Sequence, residues 1–140
     1  MLHLMKLAVG IRDIAHLRDV QAARAANDPP LCHRTRNAPR RAPELLEGGS
    51  LYWVISGAMV VRQHLLDITQ STWNDGTPCA CLVLDPKLVP VLARPMKPFQ
   101  GWRYLAAADA PPDLTSAVQA SGEDALPDAL RRELRLLGLL

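Results

Sequence analysis

The sequence predicts an α+β fold in which a mixed, mainly antiparallel sheet is flanked by helices. Between Leu51 and Leu84, apolar residues alternate along runs that meet at Asn74-Asp75-Gly76, a sequence typical of hairpin turns. Between Asp13 and Ala26 the chain is rich in alanine and begins with a good N-cap, which indicates a helix. With 140 residues, 49% of them hydrophobic, we expect one domain over residues 1–140.

Four elements are expected before residue 50, each followed by a sequence of glycine, proline, asparagine or aspartate. They are a strand at 2–9, a helix at 13–26, a short extended segment at 31–36 and one helical turn at 44–47.

The best strand of the sequence is Leu51–Ile55, which is apolar on both faces and is therefore expected at the centre of the sheet. Strands at 59–68 and 79–84 complete a three-stranded meander, with regular alternation along the first and a type I′ turn between the two. Six residues of the meander should be buried: Trp53, Val54, Ile55, Val60, Leu82 and Leu84.

The last third of the chain has weaker signals. A loop or short helix is expected from Asp85, a proline-rich basic loop at 94–98, and loop or weak helix at 106–122. Asp124 can cap a final helix whose apolar stripe consists of Leu126, Leu130, Leu134 and Leu137.

Charge is distributed unevenly, with nine basic and five acidic residues over 31–104 and three against six over 105–140. Such a basic middle section permits a polyanion-binding face. No stretch approaches the roughly 20 apolar residues of a membrane span. Three cysteines, an odd number, argue against a disulfide framework. We therefore expect a cytoplasmic protein that does not bind a membrane.

The first candidate site is an arginine run without acidic residues between Leu31 and Pro43. Guanidinium groups suit phosphate oxygens because they donate two parallel hydrogen bonds. The run predicts an anion-binding or nucleic-acid-binding face that also includes two residues of the strand at 59–68. Its members are Arg34, Arg36, Arg40, Arg41, Arg62 and His64. The alternative for the arginines is a solvated loop in which they pair with Glu44, Glu47 or the acidic tail. The alternative for Arg62 and His64 is simple exposure at the rim of the sheet.

The second candidate is the segment 98–104, which holds three of the six aromatic residues. Aromatic faces beside cations can stack single-stranded bases, which makes Trp102, Arg103 and Tyr104 candidates. The alternative is a packed segment that locks a long loop onto the sheet, with the indole and phenol groups satisfied by hydrogen bonds. We expect Phe99 to be buried and Trp102 to be partly exposed near the arginines.

Metal and catalytic motifs are weak. Cys32, Cys79 and Cys81 lack the usual zinc spacing and are expected to be reduced and metal-free, and no cofactor is expected. No catalytic residue is assigned.

Binding of RNA or a nucleotide is the leading hypothesis. The alternatives are a small enzyme on a phosphorylated or carboxylated metabolite, with His33 or His64 as acid–base, and an interaction module that uses the C-terminal helix.

Several segments resemble an uncharacterised bacterial family, the domain of unknown function 1489, over Leu2 to Leu114. They are 33–36, 48–55, 62–63, 82–86 and 98–105. That resemblance implies a small stand-alone bacterial protein and supplies no activity or ligand. More loosely, the arginine-containing loop, glycine turn and strand are similar to the layout of PUA-like domains, including the ASCH branch. This second resemblance implies a small barrel that binds RNA or modified nucleotides.

Overall fold

The structure, a computed structural model, describes residues 1–114 and has two helices against a mixed, mostly antiparallel sheet of seven strands. This confirms the α+β prediction. The strands are β1 (Leu2–Leu7), β2 (Cys32–Thr35), β3 (Ser50–Ile55), β4 (Ala58–Thr72), β5 (Pro78–Leu84), β6 (Val89–Pro95) and β7 (Trp102–Ala106). The helices are α1 (Ile14–Asn27) and α2 (Ala42–Leu45), and a 3-10 turn spans Ala107–Asp109.

The strand order is β2-β5-β4-β3-β1-β7, with β6 also paired to β4. The pairing of β1 with β3 is parallel, and the other pairings are antiparallel. The β3–β4–β5 meander is confirmed, and so is the central place of β3, whose six residues are all buried. The six residues predicted to be buried in the meander are all less than 5% exposed.

The regular alternation predicted along β4 is wrong because two β-bulges interrupt it. Val60 has no register partner on β3, and Leu66 has no register partner on β5. Val60 and Val61 consequently both contribute to the larger core cluster, while Leu66 is left 53% exposed. A bulge places two residues opposite one, so the side chains beyond it change face.

The sheet does not close into the small barrel that the PUA-like resemblance implies. Closure requires continuous backbone pairing around the sheet, and the two end strands, β2 and β7, pair only with β5 and β1. Side chains of β7 do contact the loop after β2: the indole N–H of Trp102 donates to the carbonyl of Asn37 at 2.9 Å, and the Tyr104 hydroxyl accepts from Arg41 N–H at 3.1 Å.

The hairpin turn between β4 and β5 forms where predicted, but it is not of type I′. A type I′ turn needs positive φ at both central residues, and of residues 74–76 only Gly76 has one, at 86°. Gly76 N–H donates to the Trp73 carbonyl, and Trp73 N–H donates to the Thr77 carbonyl. The loop therefore has three residues and ends on a left-handed glycine.

The expected loops at 85–98 are also wrong in part, because β6 forms a strand there. β6 pairs with the first half of β4, and β5 pairs with the second half along the same side of β4. Pro90 and Pro95, which lack an N–H, do not prevent this because a strand partner on one side only leaves their other side free. β7 likewise lies in a segment for which no strand was predicted, and it pairs with β1.

The predicted helix at 13–26 is confirmed as α1, with the Asp13 carboxylate accepting from His16 N–H at 2.7 Å. The predicted turn at 44–47 is shifted toward the N-terminus and forms α2, with Pro43 in its first turn. Within residues 1–114, no helix has the length and apolarity that crossing a membrane requires. The predicted C-terminal helix lies outside the described residues.

Candidate functional site

A cleft of about 670 Å³ opens between α1 and the two ends of the sheet. Its walls come from β1, α1, β2 and residues 100–102. The cleft therefore lies where the sheet fails to close, with β2 on one side and the start of β7 on the other. Its volume is in the range of small-molecule sites, about 300–1,000 Å³.

The floor of the cleft contains a row of side chains across neighbouring strands. Trp102 of β7 pairs with Lys6 of β1, which pairs with Trp53 of β3. Residues opposite each other on adjacent strands project to the same face, so all three side chains share the face that α1 covers. Lys6 thus occupies the position between two tryptophans in this row.

Trp53 is held in place by a buried polar network. Its indole N–H donates to Gln63 Oε1 at 2.7 Å, and the amides of Gln63 and Gln21 bond each other at 2.7 Å. The Gln63 amide also donates to the Asp85 carbonyl at 3.1 Å. Because buried polar groups that are satisfied by partners resist rearrangement, this network makes the floor rigid and ties it to α1 through Gln21.

His33 of β2 is the titratable group of the cleft that is least satisfied. Its ring meets Trp53 edge-to-face at 5.2 Å, and its Nε2 is buried with no hydrogen-bond partner in the described part of the chain. Burial, and then the nearby charges of Lys6 and Arg24, lower the pKa of His33 to about 4. His33 is therefore neutral at pH 7.

The charged residues that line the cleft are all basic: Lys6, Arg24, Arg34 and Arg36. The Arg34 side chain, however, projects with Cys81 to the other face of β2, so Lys6, Arg24 and Arg36 are the cations available to a ligand in the cleft. Burial lowers the pKa of Lys6. Arg34 lies 3.6 Å from the Asp28 carboxylate, while Lys6, Arg24 and Arg36 form no ion pair within residues 1–114. Since neither Asp nor Glu lines the walls, the cleft offers an anion several cations and no repulsion.

The prediction that Arg34, Arg36 and Arg40 converge with Arg62 is wrong, because the four side chains do not share one face. Arg36 borders the cleft and Arg40 is exposed outside it. Arg34 also borders the cleft, but its guanidinium lies near Asp28 on the other face of β2. Arg62 lies on the opposite face, because its register partner Tyr52 projects to the face opposite that of Trp53. There its guanidinium makes two hydrogen bonds to Asp113, at 2.7 and 2.8 Å, and one to Ser50.

Two other predicted residues lie away from the cleft. Arg41 pairs with Glu44 through two hydrogen bonds, which is the alternative considered for the arginine run. His64 pairs in register with Ser50, on the face of Arg62, and does not line the cleft. Of the two candidate histidines, only His33 is in the cleft.

The aromatic segment packs against the sheet and the loop after β2, as the alternative predicted, and it also places Trp102 at the cleft. Phe99 is buried, as predicted, under the Arg103 guanidinium at 4.9 Å. Tyr104 accepts from the Arg41 backbone N–H, and its ring meets that of Trp102 at 5.0 Å, so the segment holds the loop after β2. Trp102 is nevertheless partly exposed and lines the cleft beside Lys6.

Sequence reasoning missed Lys6, Arg24 and Trp53 as members of this site. Lys6, the one formally charged residue of β1, was a usable signal, because a charge in a largely apolar strand needs a cleft or a partner. Arg24 gives no such signal, since it resembles any exposed helical arginine. No cluster of three or more His, Cys, Asp or Glu side chains is arranged to hold a metal ion within residues 1–114.

No curated protein and no solved structure matches the chain. One family profile matches residues 4–140, which is nearly the whole length and includes the segments that form the cleft. The chain therefore belongs to the family described as "Protein of unknown function (DUF1489)".

Proposed function

We propose that the protein binds a nucleotide, either free or as part of an RNA strand, in the cleft between α1, β2 and the start of β7. The observation that carries this proposal is a cleft with three basic side chains available to a ligand (Lys6, Arg24 and Arg36), no acidic residue and a partly exposed indole on its wall. Phosphate and base are the two parts of a nucleotide that such a wall recognises.

The phosphate position is supported by Lys6 and Arg24. Their charges both act on His33, which places them on the same part of the cleft. Partial burial of Lys6 reduces the screening of its charge by water, which strengthens its attraction for a phosphate. Arg36, at the rim, is placed to meet a second phosphate of an extended strand.

The base position is supported by Trp102. Its indole N–H donates to the Asn37 carbonyl, and this hydrogen bond fixes the orientation of the ring. The side chain stays partly exposed, which leaves it available for stacking. The edge of a base can then approach His33 from the side of Nδ1, because Nε2 is buried. In the neutral imidazole each nitrogen is either a donor or an acceptor.

His33 supports binding better than acid–base catalysis. A general acid or base works best with a pKa near the operating pH, whereas that of His33 is about 4. The alternative of a small histidine enzyme is therefore less well supported than a binding site.

The proposal is tested by titrating the full chain with ribonucleoside 5′-monophosphates, inorganic phosphate and a short single-stranded RNA. We expect nucleotides to bind more tightly than phosphate, and affinity to fall steeply with salt. Affinity for RNA alone would identify a strand as the ligand, and equal affinity would identify a single nucleotide unit.

Arg24→Ala and Arg18→Ala are a matched pair, because both arginines are exposed on α1 but only Arg24 lines the cleft. Arg24→Ala should weaken nucleotide binding by roughly tenfold, in line with a charged hydrogen bond worth about 1.5–3 kcal/mol. Arg18→Ala should bind like the wild type. No binding of any probe by the wild type, or equal losses in both variants, would refute the proposed function.

A further inference from the structure

Two thiols lie side by side on the face of β2 and β5 that is turned away from the α1 side. Cys32 pairs in register with Val83 and Cys81 with Arg34, so the two cysteines are diagonal neighbours two register positions apart and project to the same face. Their sulfur atoms are 3.3 Å apart, with the Cys32 S–H donating to Cys81. Both thiols are free.

A shallow groove of about 180 Å³ gives access to this pair. It is bordered by both cysteines, Arg34, Pro29, Pro30 and part of β4. Cys32 and Arg34 border both the groove and the cleft. The strand register nevertheless directs the Cys32 and Cys81 side chains to the face opposite that of His33, so the thiol pair is not part of the proposed nucleotide site.

The surroundings distinguish the two sulfurs. Cys81 accepts hydrogen bonds from the Cys32 S–H and from Arg34. The hydrogen bond to Cys81 raises the pKa of Arg34. Burial, and then the hydrogen bond to Cys81, raise the pKa of the Cys32 thiol to about 11. Since cations and donors favour the nucleophilic thiolate, Cys81 is the attacking sulfur and Cys32 the one that keeps its proton.

We propose that Cys32 and Cys81 are a redox-active pair that a hydroperoxide converts to an intramolecular disulfide. The Cys81 thiolate attacks one peroxide oxygen, the O–O bond breaks, and a sulfenic acid forms while the leaving hydroxide takes up a proton to give water. Cys32 sulfur then attacks Cys81 sulfur, the S–O bond breaks, and the Cys32 proton leaves with the oxygen as a second water. Two thiols and one hydrogen peroxide thus give one disulfide and two waters, and the two electrons lost by sulfur reduce the peroxide.

Cys79 is the internal control. It projects to the same face as Cys81, two residues away on β5, and it has no thiol within hydrogen-bonding distance. All three cysteines of the sequence lie within the described residues.

The test treats the full chain with hydrogen peroxide, quenches it, unfolds it and alkylates the remaining thiols. Three alkylated cysteines are expected before oxidation and only Cys79 afterwards, with a mass loss of two hydrogens that dithiothreitol reverses. Cys79→Ser should still form the disulfide, whereas Cys32→Ser and Cys81→Ser should not. Cys32→Ala and Cys81→Ala, checked by circular dichroism, provide second variants should the serine variants fail to fold.

Retention of three alkylatable thiols, a disulfide that includes Cys79, crosslinks between chains, or direct oxidation to sulfinic acid would each overturn the proposal. This experiment uses no nucleotide, so its result is independent of the proposed function.

Discussion

His33 shows how one side chain can be costly for the fold and useful for a ligand. A buried nitrogen without a partner costs about 1–3 kcal/mol of stability, and the Nε2 of His33 is such an atom among the described residues. Lys6 and Arg24 oppose protonation of His33, so together with burial they keep its pKa low. Residues with such strongly perturbed pKa values are concentrated at functional sites.

The pKa of His33 predicts a specific loss of stability in acid. Its folded-state pKa of about 4 is below the ordinary 6.5, so between these values the unfolded chain binds a proton that the folded chain does not. The free energy of unfolding should therefore fall as pH is lowered from 6.5 to 4, by at most about 3 kcal/mol from this group. Urea denaturation at several pH values measures this loss.

The control for the pH prediction is His64→Phe, since His64 lies on the opposite face of the sheet. His33→Phe should reduce the acid dependence and should not lower stability at pH 7, because it removes the unpaired nitrogen. The paired carboxylate of Asp113, whose pKa is lowered by Arg62, remains in both variants. An unchanged acid dependence in His33→Phe would contradict the prediction.

At Trp102, structural and binding roles can be separated by two substitutions. Trp102→Phe keeps an aromatic face but removes the hydrogen bond to Asn37, so it should cost about 1 kcal/mol of stability and retain nucleotide binding. Trp102→Ala should lose a stacking interaction of about 1–3 kcal/mol per base and weaken binding tenfold or more. Thermal unfolding and titration of both variants give the two quantities. Unchanged affinity per folded molecule in Trp102→Ala would retire the stacking role.

Among the elements, the approach of α2 to β1 depends on one glycine. A Cβ on Gly49 would lie 2.3 Å from the carbonyl oxygens of both Leu2 and Leu45. The Gly49 backbone also accepts from Leu65 N–H, so it connects α2, β3 and β4. This close approach of backbone to backbone requires glycine at position 49, in the connection between α2 and β3.

Gly49→Ala should destabilise the protein by about 3 kcal/mol, because backbone atoms cannot move away as a flexible side chain would. Gly10→Ala is the control: Gly10 has a φ of 78° with open space around it, so its cost should be the conformational penalty alone, about 1 kcal/mol. Denaturant midpoints measure both losses. Equal losses would show that the close approach is not the cause.

At the scale of the whole molecule, one open sheet produces both proposed sites. The inner face near the gap between β2 and β7 contains the basic cleft, and the opposite face of β2 and β5 contains the thiol pair. β2 contributes to both, because alternate residues of a strand project to opposite faces: His33 to the cleft and Cys32 to the thiol pair.

Oxidation should therefore stabilise the whole fold. Cys32 and Cys81 are 49 residues apart, and a crosslink closing such a loop contributes about 4 kcal/mol in the chain-entropy view. Wild-type protein treated with peroxide should melt at a higher temperature than reduced protein, and Cys79→Ser should respond in the same way. Cys81→Ser should show no peroxide-dependent increase, and an increase in that variant would attribute the effect to another oxidation.

Local patterns in the sequence were sufficient for most of the sheet and for α1. The meander follows from alternation and a turn sequence, and α1 from its cap at Asp13, because these signals act between residues close in the chain. β6 and β7 were missed for the same reason. Their prolines and glycine indicate loops locally, while their pairing is with β4 and β1, which are distant in sequence.

The sequence by itself determined the fold class, the buried residues of the meander, and a basic middle section with an aromatic segment after it. Only the tertiary structure decided which of these charges share a site. Parallel pairing of β1 with β3 brings Lys6 beside Trp53, and packing of α1 brings Arg24 toward His33, while Asp113 pairs with Arg62 on the other face. Strand register assigns each side chain to a face, and register depends on bulges and long-range pairing that no local pattern specifies.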